Sequence, residues 1–163
     1  MTIKTALTAS LLSLSLAACA SGTTTVLAPP SAAFSANSIQ IEAIDNTVAV
    51  EPEIVAYYGE QLHLALYEDE DRAFAEGSDI TVKYRFLQAN EGSQLKRWAI
   101  GVGSGKGSVT IESVFYDQAG NELSRIHSGG EISGGLFGGT FKEAVERAAE
   151  ETADYARENF LTK

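Results

Sequence analysis

The feature that most limits the fold of this chain is a strict alternation of side chains between residues 79 and 88. Every second residue there is large and apolar, namely Ile80, Val82, Tyr84 and Phe86. The residues between them are polar, including Lys83 and Arg85. Because successive side chains of a strand point to opposite faces, this pattern predicts a strand with one buried face. Such a strand needs neighbouring strands and a layer that covers its apolar face.

Three more strands follow from shorter patterns. Ile39 and Ile41 alternate with polar residues and predict a first strand. The sequence Gln-Ala-Gly-Asn at 118–121 marks a turn between two strands, predicted over 108–117 and 122–128. A loop rich in glycine pairs, beginning at Gly129-Gly130, is expected to follow the last strand.

Two helices are predicted to cover the sheet. Pro52 suits the first turn of the earlier helix, whose apolar stripe consists of Val55, Tyr58, Leu62 and Leu66. Thr140 and Glu143 form a capping box before the later helix. The apolar face of that helix comprises Phe141, Val145, Ala148, Thr152, Tyr155, Ala156 and Phe160. The fold class is therefore predicted to be α+β, a mostly antiparallel sheet with helices packed on one face.

The segment RWAIGVGSGKGSVTI, at 97–111, has glycine at every second position: Gly101, Gly103, Gly105 and Gly107. A phosphate-binding loop of the Walker type is excluded, because Ile100 replaces its first glycine and Gly107 its hydroxyl residue. Large side chains fall on even numbers before the glycines and on odd numbers after them. A pleated strand has a period of two, so we expect a bulge or bend between Gly103 and Gly107. The four glycines are thus interpreted as structural.

The N-terminus is predicted to be a lipoprotein signal peptide, residues 1–18. MTIK provides a positive charge, and the run from Ala6 to Leu16 is too short to cross a bilayer. Leu16-Ala17-Ala18-Cys19 resembles the lipobox of bacterial lipoproteins, where the new N-terminal cysteine carries a diacylglycerol. This resemblance implies lipidation, including palmitate, at Cys19. By resemblance to lipoprotein sorting, Ala20 favours the outer membrane, with the protein facing the periplasm.

The remaining chain is divided into a flexible tether and one domain. Residues 19–37 are rich in Ser, Thr, Ala and Pro with almost no charge, which predicts a tether after the acylated cysteine. Residues 38–163 are predicted to form a single α+β periplasmic domain.

Composition excludes several functions. The formal net charge is −10, so nucleic acid is not expected as a partner. Cys19 is the only cysteine, which leaves no disulfide or cysteine metal site. No motif points to a metal, a cofactor or a nucleotide, and none is expected.

Three functional hypotheses remain. In the first, the protein is a non-enzymatic binding or assembly module for envelope proteins or peptidoglycan. Its docking patch would consist of the basic residues Lys83, Arg85, Lys96, Arg97 and Lys106. In the second, a hydrolase or ligand-binding enzyme uses His127 with Asp117 or Glu112. In the third, an exposed sheet edge drives self-association.

The order of these elements resembles the bacterial lipoproteins of domain-of-unknown-function family 4410. The most specific part is Arg97-Trp98-Ala99-Ile100-Gly101-Val102-Gly103-Ser104-Gly105, within a resemblance that covers residues 45–160. The charged insertion at 68–76 and the glycine-rich loop before the last helix depart from the family pattern. The resemblance implies an α+β fold similar to periplasmic domains of envelope lipoproteins, and it implies no catalytic residues.

Overall fold

Six strands and two helices make up the part of the chain that the computed structural model describes, residues 20–30, 33–68, 73–90, 107–132 and 140–162. The strands are β1 (Ala20–Ala28), β2 (Ser38–Ala43), β3 (Ala75–Glu76), β4 (Ile80–Asn90), β5 (Ser108–Asp117) and β6 (Glu122–Ile132). The helices are α1 (Pro52–Tyr67) and α2 (Phe141–Phe160).

All six strands belong to one sheet, in the order β1-β6-β5-β4-β2-β3. The β1–β6, β5–β6 and β4–β5 pairs are antiparallel, whereas β2 runs parallel to both β4 and β3. The parallel part follows from α1, because a chain that leaves β2 and returns beside it in the same direction needs a crossover. The predicted α+β class with a mostly antiparallel sheet is confirmed, and the sheet is mixed rather than purely antiparallel.

The helices cover one face of the sheet and form the core with it. The strands supply buried side chains at alternate positions, as predicted for β4, and Tyr58 of α1 packs against the rings of Tyr84 and Phe86. From α2, Tyr155 and Phe160 contact Phe115. The period of two in each strand determines which of its side chains face this core.

A short chain of hydroxyl groups crosses this core. The Thr152 hydroxyl of α2 lies 2.9 Å from Tyr58 Oη and donates to Ser128 Oγ at 2.8 Å. Tyr58 is fully buried, and burial raises its pKa. Because buried polar groups must be hydrogen-bonded, these contacts hold α1, α2 and β6 in one relative position.

Residues 20–28 contradict the predicted flexible tether. They form β1, an edge strand that pairs with β6 from Ala20 opposite Ile132 to Ala28 opposite Arg125. Thr23, Thr24 and Thr25 are β-branched, and β-branched side chains pack well in a pleated strand. The lack of charge, which indicated a tether, is therefore compatible with a strand as well. The folded unit therefore includes residues 20–28, which the sequence had assigned to the tether.

The last strand is also longer than predicted. Gly129 and Gly130, which the sequence placed in a loop, lie within β6. Gly130 faces α2, where an added Cβ would lie 1.9 Å from the backbone oxygen of Ala144. Glycine is therefore used here for the close approach of a helix to a strand.

Candidate functional site

The sheet face opposite the helices carries a row of charged residues from three neighbouring strands. In the register, Arg85 of β4 lies opposite Glu112 of β5, which in turn lies opposite His127 of β6. Arg125 lies two residues from His127, and therefore on the same face of β6. We call these four residues the Glu112 cluster.

Glu112 is the centre of this cluster and is only 7% exposed. Its Oε1 accepts hydrogen bonds from Arg85 Nε at 2.9 Å and pairs with Arg85 Nη2 at 2.7 Å. Its Oε2 lies 3.1 Å from Arg125 Nη1 and 3.6 Å from His127 Nε2. Both carboxylate oxygens are thus occupied by cations.

The two arginines decide the protonation state of Glu112. Burial by itself raises the pKa of the carboxyl group, but hydrogen bonds and charge from Arg125 and Arg85 outweigh burial, so the pKa lies below its usual value. Arg125 also binds Glu122, and this hydrogen bond helps to raise the pKa of Arg125. Glu112 therefore stays ionised near neutral pH and has no proton to donate as a general acid.

The residues predicted for an enzyme are only partly brought together. His127 and Glu112 are neighbours, whereas Asp117 lies five residues further along β5, about 17 Å away at the usual rise of a strand. Asp117 instead accepts hydrogen bonds from the backbone of Ala119 and the side chain of Asn121 in the turn. The hydrogen bond from the Asn121 side chain is the main cause of its lowered pKa.

The described part of the predicted docking patch consists of Lys83 and Arg85, which lie on the same face of β4. Lys83 Nζ pairs with Glu42 at 2.9 Å and lies 5.9 Å from the ring centroid of Tyr116. Arg85 is paired with Glu112. The charge of both is therefore balanced by neighbouring carboxylates. Lys96, Arg97 and Lys106 lie outside the described residues.

The predicted structural glycines are likewise mostly outside the described residues, which include only Gly107. Gly107 is buried, its carbonyl accepts from Ile132 N at 3.0 Å, and an added Cβ would lie 2.6 Å from Ile132 Cδ1. Gly101, Gly103 and Gly105 are not described, nor is the bulge predicted between Gly103 and Gly107.

Two grooves lie away from the Glu112 cluster. One, of about 620 Å³, opens on the same sheet face near the 117–121 turn. It is lined by Gln40, Glu42, Ser78, Thr81, Lys83, Tyr116, Asp117, Gln118 and Gly120. The other, of about 570 Å³, lies between the helices and is lined by Gln61, Leu64, Ala65, Glu68, Glu146, Glu150, Asp154 and Arg157. Neither groove is lined by His127 or Glu112, so in neither of them could those two side chains meet a bound substrate.

Sequence reasoning did not identify Arg125 as part of the charged row, nor Glu122 as its second partner. The signal was available, because Arg125 and His127 occupy alternate positions of a predicted strand and so must share a face. What the sequence lacked was the register that sets Arg125 beside Glu112. Among the described residues, no group of three or more His, Cys, Asp or Glu could hold a metal ion.

Cys19, the predicted lipidation site, lies outside the described residues. The residue that follows it, Ala20, is the first residue of β1 and pairs with Ile132. Within the described ranges, neither helix is long and apolar enough to cross a bilayer.

Comparison with known proteins gives a family and a fold. A family model described as "Domain of unknown function (DUF4410)" matches residues 34–133. No curated protein matches the chain. Among solved structures, the PelC dodecamer from Paraburkholderia phytofirmans has a TM-score of 0.50 at 11% identity, covering 84% of this chain and 96% of that chain.

A leucine-to-methionine variant of the same PelC dodecamer also has a TM-score of 0.50, at 13% identity, covering 82% of this chain and 95% of that chain. At these identities the similarity is one of fold alone.

Proposed function

This chain belongs to the DUF4410 family, and from that premise we propose that it is a lipid-anchored module of the bacterial outer membrane. It faces the periplasm, binds or assembles envelope proteins or peptidoglycan, and catalyses no reaction. Residues 1–18 direct export, and the acylated Cys19 holds the domain at the membrane. Two or more acyl chains give stable anchoring, whereas a single chain gives only reversible binding.

The observation that carries this proposal is the position of β1. The strand begins at Ala20, immediately after the lipobox cysteine, and is built into the sheet through its pairing with β6. A lipid on Cys19 would therefore be attached to the folded body itself, with no spacer. Attachment at this point would hold the domain close to the membrane surface.

The state of the Glu112 cluster supports a non-enzymatic role. A catalytic carboxylate and histidine need a free proton site and access to substrate. Here both oxygens of Glu112 are occupied, its pKa is lowered, and the residue is only 7% exposed. The cluster is therefore better suited to fixing three strands than to acid–base chemistry.

Self-association is a second candidate function, favoured by the outer edge of β1, with which no described strand pairs. The strand contains no charged residue, and Val26 and Leu27 are 45% and 48% exposed. Natural edge strands are usually protected by charge, proline or bulges, and an uncharged edge can pair with another strand. Of these protective features, the described part of β1 shows only one, the shift in pairing register between Val26 and Ala28.

The proposal is tested by expressing the full chain and its Cys19→Ser variant in a Gram-negative host, with Ser21→Ala as the matched control. The full chain and the control should incorporate labelled palmitate and sediment with outer membranes. Cys19→Ser should incorporate no label and leave the membrane. If Cys19→Ser stays membrane-bound with unchanged mobility, the anchoring is refuted.

The binding role is tested by crosslinking in intact cells and mass spectrometry of the co-purified material. His127→Gln should capture the same partners as the unchanged chain, since the proposed role does not use histidine chemistry. If His127→Gln retains its fold but accumulates a covalently modified or uncleaved envelope component, the enzymatic alternative is correct.

A further inference from the structure

The position of the anchor also determines how the domain stands on the membrane. Resting on the proposed acylation of Cys19, we infer that the domain stands end-on. The end of the sheet at which β1 begins, here called the anchor end, faces the lipid headgroups. The opposite end, here called the far end, projects into the periplasm.

The register identifies the residues at each end. Ala20 lies opposite Ile132, Glu131 lies opposite Ser108, and Ser108 lies opposite Asn90. The start of β1, the end of β6, the start of β5 and the end of β4 therefore meet at the anchor end. The far end contains the 117–121 turn and the end of β1 at Ala28.

The two ends are well separated. β6 spans 11 residues, and at about 3.3 Å per residue it is about 35 Å long. Cys19 directly precedes Ala20, and one residue extends the chain by at most about 3.6 Å. The anchor end therefore stays beside the membrane whatever the tilt of the domain, whereas the far end approaches the membrane only if the domain lies flat.

Lying on the β1 edge is unfavourable. Among the described strands none pairs with the outer side of β1, so its N–H and C=O groups would lose hydration without gaining a partner if this edge lay against the membrane. End-on attachment leaves this edge in water, where its backbone groups are solvated or can pair with another strand.

Lying on the helices is unfavourable as well. The groove between α1 and α2 is lined by the carboxylates Glu68, Glu146, Glu150 and Asp154, with Arg157 as its basic residue. Arg157 pairs with Asp154 and Arg147 with Glu150, but carboxylates remain in excess, so this surface is repelled by anionic headgroups and loses hydration against neutral ones. On the opposite sheet face, the described cations Lys83, Arg85 and Arg125 give little compensating attraction, because they are already paired with carboxylates.

The inference is tested with introduced cysteines, which are the only free thiols once Cys19 is acylated. Three exposed positions serve as sites: Glu131→Cys at the anchor end, Ala119→Cys at the far end, and Thr25→Cys along the β1 edge. Each acylated full chain is labelled with a fluorophore and reconstituted into phosphatidylethanolamine–phosphatidylglycerol vesicles that contain lipids with a spin label on the headgroup. Circular dichroism confirms that each variant is folded.

We expect quenching at position 131 to exceed quenching at position 119 several-fold, with position 25 between them. Equal quenching at 131 and 119 in vesicle-bound protein would overturn the end-on arrangement and leave the anchor intact. Quenching at 25 equal to that at 131 would also overturn it, by showing edge-on contact. If none of the labelled chains associates with vesicles, the proposed anchor itself is wrong, and the orientation falls with it. If Ala119→Cys does not fold, Gln118→Cys serves as the far-end site instead.

Discussion

The contact between Gly130 and α2 gives a sharp prediction about stability. In Gly130→Ala the new Cβ would lie 1.9 Å from the backbone oxygen of Ala144, and 2.6 Å from its carbonyl carbon. Carbon atoms in contact are normally about 3.5–4.0 Å apart, so the helix or the strand must move. Neither can do so by rotating a side chain, because the clash is with backbone.

The neighbouring glycine is a matched control. In Gly129→Ala, on the other face of β6, the nearest atom is the Thr23 hydroxyl at 2.9 Å, which can rotate away. Alanine also loses less backbone entropy than glycine on folding, by roughly 0.5–1 kcal/mol. Gly129→Ala should therefore change the free energy of unfolding by less than about 1 kcal/mol, in either direction.

Forced overpacking of a core typically costs about 1–3 kcal/mol, and a backbone clash of this size belongs at the upper end. We expect Gly130→Ala to lower the free energy of unfolding by about 3 kcal/mol, or Tm by about 10 °C. The assay is urea and thermal unfolding followed by circular dichroism, with Cys19→Ser in every chain so that no lipid is present. Equal stability of the two glycine variants would refute the close packing of α2 on β6.

Three further predictions concern hydrogen bonds and charge. Thr152→Val, which leaves the Ser128 hydroxyl without this partner, should lower the free energy of unfolding by about 1–3 kcal/mol in urea unfolding; an unchanged midpoint would contradict the buried hydroxyl chain. Thr140→Ala removes the hydroxyl that accepts from Glu143 N at 3.3 Å and should cost about 1 kcal/mol, measured in the same way; no loss would show that the cap is unimportant. The pKa of Glu112 is lowered in the folded chain, so its ionised form stabilises the fold above its ordinary value of 4.5, and this contribution disappears as the pH falls through the folded pKa. The stability difference between the unchanged chain and Glu112→Gln should therefore be largest near neutral pH and shrink on acidification; a difference that grows in acid would contradict this assignment.

The sequence predicted those elements whose burial pattern is local. The alternation in β4 and the stripe of α2 each record which side chains face the core, and a few consecutive residues suffice to identify the period. The 117–121 turn was predictable as well, because a glycine in such a sequence is a local turn signal. In the structure Gly120 adopts a φ of +83°, a conformation that favours glycine.

β1 was missed because its stability is not local. Its Ser, Thr and Ala residues also suit a linker, and only pairing with β6, more than a hundred residues later, makes them a strand. The Glu112 cluster was incompletely predicted for the same reason. Glu112 and His127 were recognised as candidates, but their contacts with Arg85 and Arg125 depend on the register of three strands, which residue spacing alone does not determine.

The central claim is that a lipid on Cys19 holds this fold directly at the membrane. The most direct test is intact-mass spectrometry, with N-terminal peptide mapping, of the protein extracted from purified outer membranes. We predict a chain that begins at Cys19 and carries the mass of a diacylglycerol, with or without a further acyl chain. A chain that retains residues 1–18, or that begins elsewhere with an unmodified cysteine, would contradict the account.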